Sequence, residues 1–147
     1  MKYSNFEMEE MKGEIFTEIV KSKDDDYNDF LMFIGKQNSF VFYHLQDCCE
    51  CVAIEDISGN LKDLLESPLT MAEVVSEDAK VGQECDESGT WTFYKFATIN
   101  GYVTVRWLGE SNGWYSEEVD SYKILTEELL KMNIYKDIPE KDKIKLK

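Results

Sequence analysis

The sequence predicts a mainly β domain of the α+β kind: an antiparallel curved sheet or small sandwich of about seven strands with two or three short peripheral helices. Three observations carry this. Short runs rich in Val, Ile, Thr, Phe and Tyr recur between polar or Gly-bearing breaks. Asn100-Gly101 separates two long strand-like runs, a strong short-range hairpin signal. The 147 residues are 43% apolar with only two Pro, enough for one core and too apolar for wholesale disorder. A single domain over 1–147 is expected: a short N-terminal helix (1–13), a β-rich core (14–125), a C-terminal helix (126–138) and a frayed Lys-rich tail (139–147).

The elements follow in order. Ser4-Asn5-Phe6-Glu7 has the form of a capping box, and Gly13 stands where the helix it opens would stop. Strands are expected over Glu14–Lys21, Phe30–Ile34, Ser39–Gln46 and Cys51–Ile57. Phe30–Ile34 is apolar throughout, which suits a strand buried on both faces. Asn60 caps a one- to two-turn helix whose apolar side is Leu61, Leu64 and Leu65, and Ser67-Pro68 ends it. Thr70–Val75 is a further strand, and the acidic stretch Ser76–Gly89 reads as an exposed loop.

A two-residue Asn-Gly turn would pair Thr98 with Val103, Phe96 with Val105 and Tyr94 with Trp107. Tyr94, Phe96, Val103, Val105 and Trp107 then share the core face. The other face sets Lys95 directly opposite Arg106, two like charges that need an anion or a neighbouring carboxylate such as Glu117 or Glu118. Trp114–Ile124 returns as a strand, and Thr126 caps the last helix.

Thirty Asp and Glu against sixteen Lys and Arg leave a net charge of −14. Residues 1–120 carry −16, whereas 121–147 carry +2. Such a body repels nucleic acid and anionic membranes and is drawn to basic protein surfaces. Arg106 is the sole Arg, so bidentate phosphate recognition is not the main task. The sequence holds no apolar run long enough for a membrane-spanning helix and opens on no signal-peptide pattern, so a cytoplasmic location is expected.

The densest chemistry is His44-Leu-Gln-Asp47-Cys48-Cys49-Glu50-Cys51, with the only His and three of the four Cys. Thiolates and an imidazole suit Zn²⁺, which wants four tetrahedral ligands. His44, Cys48, Cys49 and Cys51 are the expected ligands of a structural zinc, with Cys85 or a carboxylate from Asp47 or Glu50 as a possible completion. The competing reading makes these Cys small buried apolar side chains. A third, a His44–Cys49 nucleophilic pair, lacks any further signal. Gly109-Glu-Ser-Asn-Gly-Trp-Tyr-Ser-Glu117 is either a loop presenting Trp114 and Tyr115 or an ordinary hairpin with both in the core.

Tyr43-His-Leu-Gln-Asp-Cys-Cys-Glu50, Ile54-Glu-Asp-Ile57, Thr90-Trp-Thr-Phe-Tyr-Lys-Phe-Ala-Thr98, Gly101-Tyr-Val-Thr-Val-Arg-Trp107 and Gly109-Glu-Ser-Asn-Gly113 together resemble an uncharacterised domain family of tailed phages and Gram-positive prophages. The resemblance covers roughly residues 13–120. Members with Ser at the Cys51 position shift the ligand weight to His44, Cys48 and Cys49. The resemblance implies a phage accessory protein in the cytoplasm of an infected host. Joined to the charge, it leads to an expected function: an acidic, non-catalytic anti-CRISPR-type inhibitor that covers a basic surface of an RNA-guided nuclease and does not itself bind nucleic acid. Its expected contact residues are Glu84, Asp86, Glu87, Glu110, Trp114, Tyr115, Glu117, Glu118 and Asp120. The alternative is a binder that sequesters a nucleotide immune signal with Lys95, Arg106, Trp114 and Tyr115.

Overall fold

Alternating apolar residues fold this chain into two antiparallel sheets packed face to face. The computed structural model describes residues 3–46, 49–79 and 88–146. Its strands are β1 (Tyr3–Ser4), β2 (Phe16–Lys23), β3 (Asp29–Gly35), β4 (Asn38–Tyr43), β5 (Glu50–Ser58), β6 (Met71–Asp78), β7 (Ser88–Thr98), β8 (Gly101–Ser111), β9 (Asp120–Leu125) and β10 (Lys143–Ile144). One sheet has six strands in the order β1-β9-β4-β3-β2-β10. The other has four, in the order β5-β8-β7-β6. The expected mainly β, antiparallel fold with few and short helices forms; of the curved sheet and the small sandwich it is the sandwich, with ten strands among the described residues where about seven are expected.

The core lies between the sheets. Phe16, Leu31, Phe33, Phe40 and Phe42 meet Val52, Tyr94, Phe96, Val103, Val105 and Trp107 there. Phe33 and Phe96 join the sheets ring to ring at 4.7 Å, as do Phe42 and Tyr94. Such tilted pairs add about 0.5–1.5 kcal/mol each beyond the area they bury. All five residues expected on the hairpin's core face are buried.

Strand β3 is buried on both faces, as its unbroken apolar run requires. Leu31 and Phe33 face the sandwich, whereas Phe30, Met32 and Ile34 join a second cluster with Val20, Ile124, Leu129 and Ile138. That outer cluster is covered by two single-turn helices, α1 (Thr126–Leu129) and α2 (Asn133–Lys136). They replace the continuous helix expected over 126–138. Thr126 is not its cap: its buried hydroxyl donates to the Gly35 carbonyl at 2.8 Å and shares a hydrogen bond with Ser39.

The chain ends differ from expectation too. No helix starts at Ser4; β1 pairs with β9, and a 3₁₀ turn at Met8–Met11 follows. The Glu7 N–H donates to Glu10, placing the reciprocal cap three residues later than the sequence suggests. The Lys-rich end is not frayed over the described residues, since Lys143 and Ile144 pair with Val20 and Ile19 of β2. Asn60 does cap the Leu61–Leu64 turn, accepting the Lys62 N–H at 3.0 Å.

The β7–β8 hairpin has the expected faces but a different register. Thr98 pairs with Gly101, Phe96 with Val103 and Tyr94 with Val105. The turn is therefore Ile99-Asn100, and neither Asn100 nor Gly101 adopts positive φ. Gly101 serves another purpose: a Cβ there would lie 2.7 Å from the Asp63 carboxylate. The shift is by two residues, so every side chain keeps its face while its partner changes.

Candidate functional site

His44 continues β4 beyond Tyr43 and turns its ring into the end of the sandwich, where it is 4% exposed. Its Nδ1 lies 2.7 Å from the Glu118 carbonyl oxygen. A carbonyl only accepts, so Nδ1 carries the proton and Nε2 is left facing the opposite sheet. There the Glu50 carboxylate, its side chain 2% exposed, stands 3.8 Å away. Asp120 approaches the Nδ1 edge at 3.7 Å. Among the described residues Nε2 finds no hydrogen-bond partner.

This arrangement follows from strand parity. Val52 faces the core, so Glu50 also points inward and Cys51 points out. Sequence reasoning that begins the strand at Cys51 names Glu50 only as a possible completing ligand, although the inward parity of Val52 places its carboxylate toward His44. The Glu50 carboxylate, and not the Cys51 thiol, thus meets His44.

The expected zinc site is overturned. Among the described residues no group of three or more His, Cys, Asp or Glu is placed to hold a metal ion. Cys51 is a free, exposed thiol on the far side of β5 from His44. Cys49 is disulfide-bonded, which removes the thiolate that both zinc and a His44–Cys49 nucleophilic pair require. Glu50 and Asp120 flank different edges of the imidazole and do not converge on one point. Cys48, and Cys85 with Asp47 as possible completing ligands, lie outside the described residues.

The expected contact residues divide. Glu84, Asp86 and Glu87 lie outside the described residues. Glu110 is exposed on the outer face of β8, and Trp114 is 88% exposed at the tip of the 112–119 loop. Tyr115 and Asp120 are half-buried, and Glu118 is exposed while its carbonyl holds His44. Glu117 turns back on its own protein, accepting hydrogen bonds from Thr90 at 2.7 Å and Ser111 at 2.5 Å. Burial raises its carboxyl pKa, but the hydroxyls of Ser111, Thr90 and Ser88 outweigh this and hold it below the ordinary value. Glu117 is therefore a clamp on the loop. Gly109 permits the clamp, because a Cβ there would collide with the Glu117 carbonyl oxygen and sit 2.8 Å from its Cβ.

The outer face of the four-stranded sheet carries Trp91, Phe93, Lys95, Arg106 and Leu108. Lys95 stands opposite Thr104 and Glu73, and Arg106 opposite Phe93 and Asp56, so the two cations are not the facing pair expected. Neither Glu117 nor Glu118 neutralises them. The Arg106 guanidinium instead rests 4.8 Å over the Trp91 ring, its buried Nε without a hydrogen-bond partner among the described residues.

These features define a small, strongly acidic two-sheet domain with a buried His–Glu contact at one end. The chain belongs to the family described as a domain of unknown function (DUF7448), which matches residues 9–121. That span runs from β2 to the start of β9 and leaves out β1, most of β9, the C-terminal helices and β10. No curated protein and no solved structure matches the chain. Among the described residues no helix is long and apolar enough to cross a membrane.

Proposed function

We propose that the protein acts by binding rather than catalysis: a phage-encoded acidic inhibitor that docks on a basic, nucleic-acid-handling surface of a host RNA-guided defence nuclease. The observation that carries this reading is where the charge sits. Among the described residues strand β6 pairs only with β7; it exposes Val74 and Val75 at 44% each and carries exposed Glu73, Glu77 and Asp78. An open strand edge with apolar footing and acidic flanks suits a cationic protein surface.

The test is DNA cleavage by a type II RNA-guided nuclease with and without the purified protein, across a salt series. Inhibition is expected to weaken steeply as screening shortens from ~10 Å at ~0.1 M to ~3 Å at ~1 M salt. Salt-insensitive inhibition, no inhibition of any such nuclease, or multiple-turnover chemistry would each overturn the reading.

Arg106 supports a second reading. A guanidinium stacked on Trp91 beside Phe93, with no ion pair among the described residues, suits a planar anion such as a nucleotide. Thermal stabilisation by cyclic nucleotides, lost in Arg106→Ala and without any protein partner, would favour it.

A further inference from the structure

The outer face of the six-stranded sheet is only partly covered by α1 and α2. Beyond their edge an open groove of about 310 Å³ remains. Val41 and Phe30 line it, with Tyr3, Tyr43 and Tyr122 as aromatic members and Met132 and Ile134 from the helical cover. The Tyr122 ring centroid lies 5.1 Å from that of Tyr3 and 5.6 Å from that of Tyr43. Tyr3 is 49% exposed and Ile134 36%, so these apolar surfaces are open to a visitor.

The groove adjoins a second hollow of about 340 Å³. Here the lining turns acidic, with Asp24, Asp25, Asp26 and Asp137. Asp24 is occupied by its own turn, accepting the N–H groups of Asp26 and Asn28. Lys23 lines the same hollow but is held by Asp29 at 2.6 Å. Asp25, Asp26 and Asp137 form no ion pair among the described residues. Two adjoining hollows, sharing Asp24, Phe30 and Ile134 as lining, thus set a tyrosine-faced end beside an acid end whose Asp25, Asp26 and Asp137 have no ion pair among the described residues.

We infer that this pair of hollows is an anchor site for an arginine- or lysine-bearing segment of a partner protein, with an apolar side chain or aliphatic stem against the tyrosines and the cation at the aspartates. Two physical matches support it. Tyrosine faces attract cations and take up the methylenes of long basic side chains. Asp25, Asp26 and Asp137 gain a partner that none of the described residues supplies. The inference rests on the reading of the protein as a binder of basic surfaces and names the place where one basic side chain enters.

Ile134 borders both hollows and is exposed on α2, so Ile134→Lys places a competing cation at their junction without touching the core. Asp137→Lys does the same at the acid end. The probe is a fluorescein-labelled peptide alternating arginine and leucine, read by anisotropy, with a glutamate–leucine peptide as its charge-reversed counterpart. Each variant is expected to weaken the arginine–leucine peptide at least ~tenfold, about 1.4 kcal/mol, with an unchanged melting temperature. Glu73→Lys/Glu77→Lys on β6 should leave that affinity alone, and the glutamate–leucine peptide should not bind. Equal affinity in wild type and both groove variants would overturn the inference, as would binding of the glutamate–leucine peptide. The nuclease assay separates the two levels. Wild-type inhibition that persists in Ile134→Lys sinks the groove and spares the inhibitor. Peptide binding that Ile134→Lys abolishes, in a protein that inhibits no nuclease, supports the groove and sinks the inhibitor.

Discussion

Asp29 fastens one sheet to the other, and its removal offers a quantitative check on the fold. It opens β3 with its side chain only 4% exposed. One carboxylate oxygen accepts from Lys23 at 2.6 Å, and the other accepts the backbone N–H of Ile54 at 2.8 Å. Ile54 precedes the irregularity in β5 where its pairing with β8 shifts by one residue. Lys23 is 54% exposed, so water screens that pair and it contributes at most about 1 kcal/mol. The Ile54 bond is the costly one to lose: a hydrogen bond to a charged acceptor contributes about 1.5–3 kcal/mol, and part of that loss is the N–H left without an acceptor. Asp29→Ala should therefore destabilise by about 3 kcal/mol. At this chain length that lowers the melting temperature by roughly 6–12 °C. Asp29→Asn, which retains an acceptor for Ile54, should lose about 1 kcal/mol, and Lys23→Met less than that. Equilibrium urea unfolding followed by tryptophan fluorescence reads all three at an unchanged m-value. The reasoning is refuted if Asp29→Ala lies within ~0.5 kcal/mol of wild type, or if Lys23→Met costs as much as Asp29→Ala.

Glu117 gives a pH dependence. Its folded carboxyl lies below the unfolded value of about 4.3, so its contribution is complete above that pH and lost as the pH falls through the folded pKa. Glu117→Gln should flatten the acid limb of a stability–pH curve, and an unchanged limb would count against the clamp. Gly109→Ala forces the 112–119 backbone off β8 and should cost about 1–3 kcal/mol by thermal melt. Intact protein treated with maleimide should be modified at Cys51 and not at Cys49 until a reductant is added, as peptide mass mapping would read.

Much of the fold was legible because its signals are local and repeat. Runs rich in β-branched and aromatic residues between polar breaks locate the main strands, and the unbroken Phe30–Ile34 run marks a buried one. Core-face parity in the hairpin survived a wrong register because the error was even. Other features depended on contacts far along the chain. Gly101 is required by Asp63 across space and not by the turn, so Asn-Gly misplaced the hairpin by two residues. The cysteine cluster looked like a ligand set because spacing does not show that β5 starts at Glu50, which sends Cys51 outward and brings Glu50 to His44. The tyrosine groove left no trace in any single segment: Tyr3, Tyr43 and Tyr122 belong to β1, β4 and β9.

The basic C-terminus shows how so acidic a chain distributes its charge. Lys145 pairs with Glu18, an acid only 6% exposed beneath it, and the Tyr135 hydroxyl donates to the same carboxylate at 2.7 Å. Burial first, then this bond to Glu18, raises the Tyr135 hydroxyl, so it remains a donor throughout the ordinary pH range. Lys143 lies 4.4 Å over the Tyr135 ring and pairs with Glu140, while Ser22 donates to Asp142 at 2.7 Å. The terminal segment thus works as a strap across the six-stranded sheet, its cations engaged where acids must be covered for the sheet to be buried. Cations committed there are not spread over the acidic body. Acids without an ion pair among the described residues remain on the β6 edge, at Glu73, Glu77 and Asp78, and at the aspartate end of the groove, at Asp25, Asp26 and Asp137. A cationic partner gains most where carboxylates stand without an ion pair of the protein's own.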